Sequence, residues 1–147
     1  MAQVEASTVI DRPVEAVFAY ATNPDTWPRW TTVVQEARIT SSGEMGSGTI
    51  IHTVAQFMGR TFEVDQVIIE YEPNRLMKGT TTAGSTELQI TNTFEPVEDS
   101  RARVTWGIEG ETGSSFKAAE PVITQLIKRQ IETQLGNLKD IMESGTE

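Results

Sequence analysis

The sequence lacks, or nearly lacks, the residues that build most covalent and metal-dependent active sites. It has no cysteine and one histidine, His52, among 147 residues. The lack of cysteine excludes a disulfide framework, a thiolate zinc site and a cysteine nucleophile. One histidine, with no suitable turn to present a serine nucleophile, gives little support to a Ser-His-Asp arrangement. We therefore expect no metal and no other cofactor.

The chain is also poor in basic residues and has no long apolar run. It carries 12 Lys and Arg residues against 21 Asp and Glu residues, for a formal net charge of −9 at pH 7. Because nucleic acids and anionic lipids attract basic surfaces, we expect no nucleic-acid partner and no stable membrane insertion. No stretch approaches the roughly 20 apolar residues of a membrane span, and residues 1–10 lack the pattern of a signal peptide. These features favour a cytoplasmic protein, and the sequence leaves open whether it is a monomer or a homodimer.

The N-terminal part of the sequence predicts one strand and two short helices. The length of 147 residues suits a single domain that takes up the whole chain. Residues 3–10 alternate loosely, as in a strand, and Pro13 then opens a short helix. Asn23 caps a second helical turn, which Pro24 opens.

From residue 33 onward the pattern becomes that of strands joined by short turns. Apolar and polar residues alternate, and the intervening segments are rich in glycine, serine, asparagine and proline. Short connections of this kind join antiparallel neighbours in a meander. Six further strands are predicted over residues 33–40, 49–57, 61–71, 75–82, 86–96 and 101–111.

The long strand at residues 61–71 does not keep one phase. Its first two apolar residues and its last three fall on opposite faces of an ideal strand. A β-bulge near residues 65–66 would bring both sets to one side and would bend the strand. Glu63 and Asp65 share a face, and paired carboxylates suit acid–base work or metal binding. With the predicted bulge, however, both point to the solvated side of the sheet.

After residue 113 the apolar spacing changes to that of a long helix. Apolar residues recur at intervals of three and four, which places them on one face. Pro121 is tolerated only in a first turn or at a kink, so we expect the regular helix to start near residue 120 and to end at Gly145. The apolar face consists of Phe116, Ala119, Ile123, Ile127, Ile131, Leu135, Leu138 and Met142.

The order of these elements implies an internal cavity. An antiparallel sheet must cover its apolar face, and the last helix is the only long element available to do so. A seven-stranded sheet curved around one helix is wider than that helix can fill. We expect the remaining volume to form a cavity that opens where the short helices meet the sheet.

Five segments give the sequence a resemblance to a known superfamily, and together they extend over nearly the whole chain. They are STVIDRPVEAVFAYATNPDTWPRW, GSGT, VIIEYEPNRL, TFEPVEDSRARVTW and QLGNLKDIME, at residues 7–30, 46–49, 67–76, 93–106 and 134–143. The sequence resembles the START-like superfamily called SRPBCC, and within it the polyketide cyclase/dehydrase-type branch. The resemblance implies an α+β helix-grip fold like that of the birch pollen allergen. In that fold a seven-stranded curved antiparallel sheet wraps around a long C-terminal helix, with two short helices after strand 1.

The resemblance also implies a pocket for a hydrophobic small-molecule ligand. Members of the superfamily bind lipids, sterols, polyketides or plant hormones, and some cyclise or dehydrate polyketides. Core and cavity wall are the same surface in this fold, so the apolar inward residues are candidates for both. The candidate cavity residues are Trp30, His52, Phe62, Val64, Leu88, Ile90, Trp106, Ile108, Ile123 and Ile127.

His52 is the weak candidate for a catalytic proton donor in that cavity. The strand that carries it is apolar on both faces, so its orientation is open. His52 faces inward if Ile50 and Val54 do, and it lies on the surface if Ile51 and Ala55 face inward.

Four polar residues lie near apolar faces and raise the question of their partners. A buried polar side chain needs a hydrogen-bond partner, and one that faces a cavity would serve a ligand oxygen. No feature of the sequence selects one of them over the others. These residues are Gln66, Gln89, Asn92 and Gln130.

Two of the three tryptophans lie in the proline-broken segment NPDTWPRW, residues 23–30. In the resembled fold the two short helices form a V beside the cavity mouth. Trp30 matches the usual tryptophan there and is expected to anchor the V. Trp27, one turn earlier, is freer to gate the cavity or to form an exposed lip. Membrane contact is disfavoured because no basic cluster accompanies the pair.

Three functions remain open from the sequence. The first is the binding of a hydrophobic or amphipathic small molecule, lipid-like or polyketide-like, in the cavity. The second is a cyclase or dehydratase reaction in the same cavity, with His52 assisting and the cavity holding a reactive chain in one conformer. The third is a protein-interaction role, for which the sequence has no motif. The first is favoured because no convincing catalytic set is present.

Overall fold

The computed structural model describes residues 2–57, 59–83, 86–110 and 120–144. Within them, one strand and two short helices precede six further strands, and a long helix follows. The elements are β1 (Ala2–Ile10), α1 (Val14–Ala21), a 3₁₀ turn (Pro24–Thr26), α2 (Trp27–Trp30), β2 (Val34–Ile39), β3 (Ile50–Phe57), β4 (Arg60–Glu72), β5 (Leu76–Ala83), β6 (Thr86–Glu98), β7 (Arg101–Gly110) and α3 (Glu120–Ser144).

The seven strands form one antiparallel sheet in the order β1-β7-β6-β5-β4-β3-β2. Strands β2 to β7 make the predicted meander, since each pairs with the next along the chain. β1 joins the far edge by pairing with β7, with Val4 opposite Ile108 and Ile10 opposite Ala102. The predicted α+β fold, with a seven-stranded curved antiparallel sheet and a long C-terminal helix, is confirmed.

α3 packs on the inner face of the sheet through one side of its C-terminal half. The four residues of this side are at most 2% exposed: Ile131, Leu135, Leu138 and Met142. The end of the helix is tied to the β1–α1 connection. There Arg12 Nη1 donates to the carbonyl of Met142 at 3.0 Å, and Lys139 Nζ donates to the carbonyl of Val9 at 2.8 Å. Ile127, nearer the start of the helix, is only partly buried.

α1 fills the part of the inner face that α3 leaves open near β4 and β6. The Phe18 ring lies 5.5 Å from the Tyr71 ring and 5.0 Å from the Phe94 ring, in tilted and edge-on arrangements that favour aromatic pairs. Its other buried apolar residues include Val14, Val17 and Ala21, which with Phe18 form the predicted apolar face.

β4 has a bulge, but not at the predicted position. The β3–β4 register runs unbroken through residues 60–67, so the predicted site is regular. The register between β4 and β5 shifts instead between Ile68 and Glu70. The shift returns Tyr71 to the inner face, while Ile69 stays outside with 40% of its surface exposed. The prediction was wrong in position because it assumed that every apolar residue of the strand faces inward.

α3 comprises Glu120–Ser144, with Pro121 in its first described turn. Phe116, Ala119 and Gly145, which the sequence also assigned to this helix, lie outside the described residues. The short helices also follow the prediction, because Asn23 Oδ1 accepts a hydrogen bond from the backbone N–H of Asp25 at the start of the 3₁₀ turn.

Candidate ligand cavity

A cavity of about 410 Å³ lies between the inner face of the sheet, the N-terminal half of α3 and the segment that contains α2. The C-terminal half of α3 packs against the sheet near β1, and the cavity lies under the other half of the helix. Strands β3 to β7 all contribute to the wall. The lining residues are Trp27, Trp30, Thr31, Val33, Val34, Thr53, Ala55, Phe62, Val64, Gln66, Met77, Thr81, Leu88, Ile90, Asn92, Trp106, Ile108, Ile127, Gln130, Ile131 and Gln134.

The structure brings most of the candidate residues together in this wall. Phe62 is 42% exposed and therefore lies at its solvent side. The side chain of Ile123 lies outside the described part of α3. The candidates that line the cavity are Trp30, Phe62, Val64, Leu88, Ile90, Trp106, Ile108 and Ile127. Their contact with a ligand stays a prediction.

His52 does not line the cavity, and its placement among the cavity residues is corrected. Ile51 is fully buried, and Thr53 and Ala55 line the cavity, so alternation turns His52 to the outer face. There its Nδ1 lies 2.9 Å from Asp65 Oδ1, and its Nε2 lies 3.2 Å from Glu63 Oε1. Both carboxylates are on the solvated side, as predicted. Among the described residues, no group of three or more His, Cys, Asp or Glu side chains could hold a metal ion.

The two carboxylates stabilise the protonated form of His52, so the contribution of His52 to stability depends on pH. Hydrogen bonds to Asp65 and Glu63 raise the pKa of His52 above 6.5, against smaller opposing effects of burial and of Arg38. A raised folded-state pKa adds stability that is complete below the unfolded pKa of about 6.5 and is lost as pH rises through the folded value. We therefore expect His52→Gln to lower the midpoint of thermal unfolding at about pH 5.5 and to have a smaller effect at about pH 9. An equal effect at both pH values would contradict this electrostatic role.

Trp27 and Trp30 both face inward and are anchored within the helical segment. Trp27 is 7% exposed and Trp30 is 2% exposed. The Trp27 Nε1–H donates to the carbonyl of Ala21 at 3.0 Å, and the Trp30 Nε1–H donates to Thr26 Oγ1 at 3.2 Å. Of the alternatives left open for Trp27, the exposed lip is wrong, because the ring is buried and its indole N–H donates to a carbonyl of the preceding helix; a gating role stays a prediction. Both rings present apolar surface to the cavity.

The polar groups of the wall fall into two sets. In the first set the groups are bonded to the protein: Thr31 Oγ1 donates to the carbonyl of Trp27, Thr81 Oγ1 donates to the carbonyl of Asp65, and Gln130 Oε1 accepts from Thr32 Oγ1. In the second set the side chains have no hydrogen-bond partner among the described residues. These are Thr53, Gln66, Asn92 and Gln134, which are only 7%, 7%, 6% and 4% exposed.

The sequence identified most of the apolar residues of the cavity wall but did not single out its polar residues. Gln66 and Asn92 were noted but not singled out. The signal was present, since Asn92 is in phase with Leu88, Ile90 and Phe94 along β6, which makes it a polar interruption of an inward face. Gln134 of α3 was missed.

The helix-and-sheet arrangement around a cavity defines the chain as a START-like protein with the helix-grip fold. The profile of the family described as "Polyketide cyclase / dehydrase and lipid transport" matches residues 1–143. The chain therefore belongs to this family. No curated protein matches the sequence. In the described part of the chain, no helix is long and apolar enough to cross a membrane.

Solved structures with little sequence identity share the fold. A START superfamily protein from Mycobacterium smegmatis has a TM-score of 0.83 at 12% identity, over 98% of this chain and 99% of the other. The Zhui aromatase/cyclase from Streptomyces sp. R1128 has a TM-score of 0.82 at 10% identity, over 99% and 96%. The di-domain ARO/CYC BexL, from the BE-7585A biosynthetic pathway, has a TM-score of 0.80 at 18% identity, over 97% and 47%. The chain thus spans about half of that di-domain protein. At these identities the similarity shows the fold alone.

Proposed function

We propose that the protein binds a hydrophobic or amphipathic small molecule in the cavity between the sheet and α3. The observation that carries the proposal is the cavity itself. Its volume of about 410 Å³ falls in the range of roughly 300–1,000 Å³ that is typical of small-molecule sites. The wall is built mainly from aliphatic and aromatic side chains, with a few amides and hydroxyls.

The energetics of the cavity support ligand binding. Apolar wall atoms that face a cavity lack the dispersion contacts that a packed core would give them, and cavities in a core lower stability. A ligand of suitable size restores those contacts. A ligand that binds only the folded state also stabilises it by mass action, by about 2.7 kcal/mol at a hundredfold excess over Kd.

Geometry does not favour a cyclase mechanism that depends on His52. His52 lies on the outer face of β3, so the sheet separates it from anything held in the cavity. The described residues that line the cavity include no Asp, Glu, Lys, Arg, His or Tyr. The binding proposal needs no such group, since apolar contact and a few hydrogen bonds are sufficient to hold a ligand.

The first experiment on this proposal is native mass spectrometry of freshly purified protein, followed by solvent extraction of the bound molecule. A stoichiometric lipid-like or aromatic compound is the expected result. A protein that is empty on purification and whose unfolding midpoint no lipid or polyketide raises across a broad panel would contradict the proposal.

A pair of variants on one strand separates cavity binding from surface binding. Val64 lines the cavity, whereas Val67 lies on the opposite face of β4, across from Ile50. We expect Val64→Trp to fill the cavity, to remove the bound molecule and to abolish the ligand-dependent rise in the unfolding midpoint. Val67→Trp is the matched control and should keep both. Equal retention of ligand by the two variants would place the binding site outside the cavity.

A further inference from the structure

The unbonded polar side chains of the cavity are a feature that apolar packing does not explain. Asn92 is 6% exposed, and its Oδ1 is buried without a hydrogen-bond partner in the described structure; Thr53 Oγ1 is in the same state at 7% exposure. Buried polar atoms are normally bonded, because leaving one unbonded costs the free energy of its lost hydration. Both residues line the cavity. A polar group on a ligand is the partner that the cavity can supply.

Gln66 of β4 also belongs to the polar part of the cavity wall. Its side chain lies across Gly79 of β5, where an added Cβ would be 2.8 Å from Gln66 Cγ and 2.9 Å from Gln66 Cδ. Glycine leaves room for this approach, although it weakens the interior of a strand. The Gln66 side chain therefore lies against β5, and it also lines the cavity.

The register brings the two amides to the same region of the wall. Gly79 lies opposite Ile90 on β6, and Asn92 is two residues further along the same face. Such diagonal neighbours are roughly 7–8 Å apart, within reach of side chains of this length. Gln66 of β4 lies over Gly79 and therefore reaches toward Asn92 of β6 across the intervening strand β5. Gln134, 4% exposed, adds an unbonded amide to the wall from α3.

The side chains of this region favour an uncharged group on the ligand. An amide offers both a donor and an acceptor, so it bonds carbonyl and hydroxyl oxygens alike. An ionised group needs a counter-charge to offset its lost hydration. None of the described side chains that line the cavity is ionisable. A carboxylate placed here would have no cationic partner in that set.

From these contacts we infer that Gln66 and Asn92, with Gln134 of α3 in the same wall, form a polar subsite for one uncharged, hydrogen-bond-donating group of a largely apolar ligand. An alcohol or an amide with an N–H fits the subsite, because it can donate to Asn92 Oδ1, and a carboxylate does not. The inference rests on the proposed function and narrows its ligand class to neutral amphipathic molecules. Gly79 is the residue that makes room for the Gln66 side chain.

Three naphthalene probes of equal heavy-atom count test the subsite by calorimetric titration at about pH 8, where the acid probe is ionised. They are 1-(2-naphthyl)ethanol, 2-isopropylnaphthalene and 2-naphthoate. We expect 2-naphthoate to bind the wild-type protein at least about tenfold more weakly than the alcohol. Tighter binding of 2-naphthoate would overturn the inference. If none of the three probes bound the wild-type protein, the subsite would be refuted, whereas the proposed function would fail only if the lipid and polyketide panel also left the unfolding midpoint unchanged.

Asn92→Leu and Gln66→Leu keep side-chain bulk and remove the hydrogen-bonding groups. We expect each to shift the affinity ratio of the alcohol to the isopropyl probe by about tenfold toward the isopropyl probe. Gln35→Leu is the matched control: Gln35 is exposed, is not among the described residues that line the cavity, and donates to Gln56 Oε1 at 2.8 Å. Its ratio should not change. Binding of all probes with unchanged ratios in Asn92→Leu and Gln66→Leu would refute the subsite and leave the proposed function intact.

The stability of the ligand-free protein supplies a second readout. Because Asn92→Leu removes a buried unbonded oxygen, we expect it to raise the midpoint of thermal unfolding while it weakens the preference for the alcohol. A gain in stability together with a loss of selectivity would show that Asn92 serves ligand binding and not the stability of the fold. A lower midpoint with an unchanged affinity ratio would make Asn92 a structural residue and would overturn the inference.

Discussion

Replacement of Leu138 by alanine is expected to lower the free energy of unfolding by about 3–5 kcal/mol. Leu138 is 0% exposed and lies in the buried cluster through which α3 packs on the sheet. Truncation removes apolar burial and leaves a void that the surrounding strands do not fill. Chemical denaturation followed by far-UV circular dichroism measures the change.

Leu126→Ala is the control for this prediction, since it makes the same substitution on the same helix. Leu126 is 39% exposed, so the expected loss is within about 0.5 kcal/mol. The contrast would show that the loss at Leu138 comes from the packing of its buried side chain and not from the Leu→Ala change within a helix. Similar losses for the two variants would contradict this role of burial.

Trp30→Ala is expected to have an effect of similar size, about 3–5 kcal/mol, and to weaken ligand binding as well. Trp30 is 2% exposed, its Nε1–H donates to Thr26 Oγ1 at 3.2 Å, and its carbonyl accepts from Asn137 Nδ2 at 3.2 Å. The residue therefore joins α2 to α3 while its ring forms part of the cavity wall. The loss is measured by denaturation with circular dichroism, because removal of a tryptophan changes the fluorescence baseline.

Arg29→Ala tests whether this loss is specific to the buried ring. Arg29 is exposed and adjacent to Trp30 in α2, so its truncation should change stability by less than about 0.5 kcal/mol. Trp30→Phe should fall between the two, because it keeps an aromatic ring and removes the hydrogen bond to Thr26. A Trp30→Ala variant as stable as Arg29→Ala would exclude the anchoring role.

The sequence predicted the elements of the fold well because its turns and helix boundaries carry local signals. Pro13, Asn23 and Pro121 act through backbone geometry that does not depend on the rest of the protein. The order of the elements then restricts the topology, because short connections leave each strand beside its neighbour. The pairing of β1 with β7 is different in kind. It joins segments about a hundred residues apart, and no local pattern indicates it.

The sequence did not predict which face of β3 points inward, and it therefore did not predict on which face of the sheet His52 lies. Ile50 and Val54 lie on one face of this strand, and Ile51 and Ala55 lie on the other, so alternation favours neither. The structure resolves the choice through Ile51, which is fully buried. The outer face is partly apolar because Ile50 lies opposite Val67 across the two strands. Such cross-strand pairs stabilise a sheet on its solvent side, and the sequence alone does not distinguish them from core residues.

The pairing of β1 with β7 bears on when the protein can fold. On the ribosome, β1 emerges first, yet its partner strand ends at Gly110. The backbone carbonyl that binds the Arg12 side chain belongs to Met142, later still. Contacts of such long sequence separation slow folding and leave earlier segments exposed. A nascent chain that stops before residue 101 therefore holds β1 without β7, its neighbour in the described sheet, and completion of the fold must wait until α3 has been synthesised.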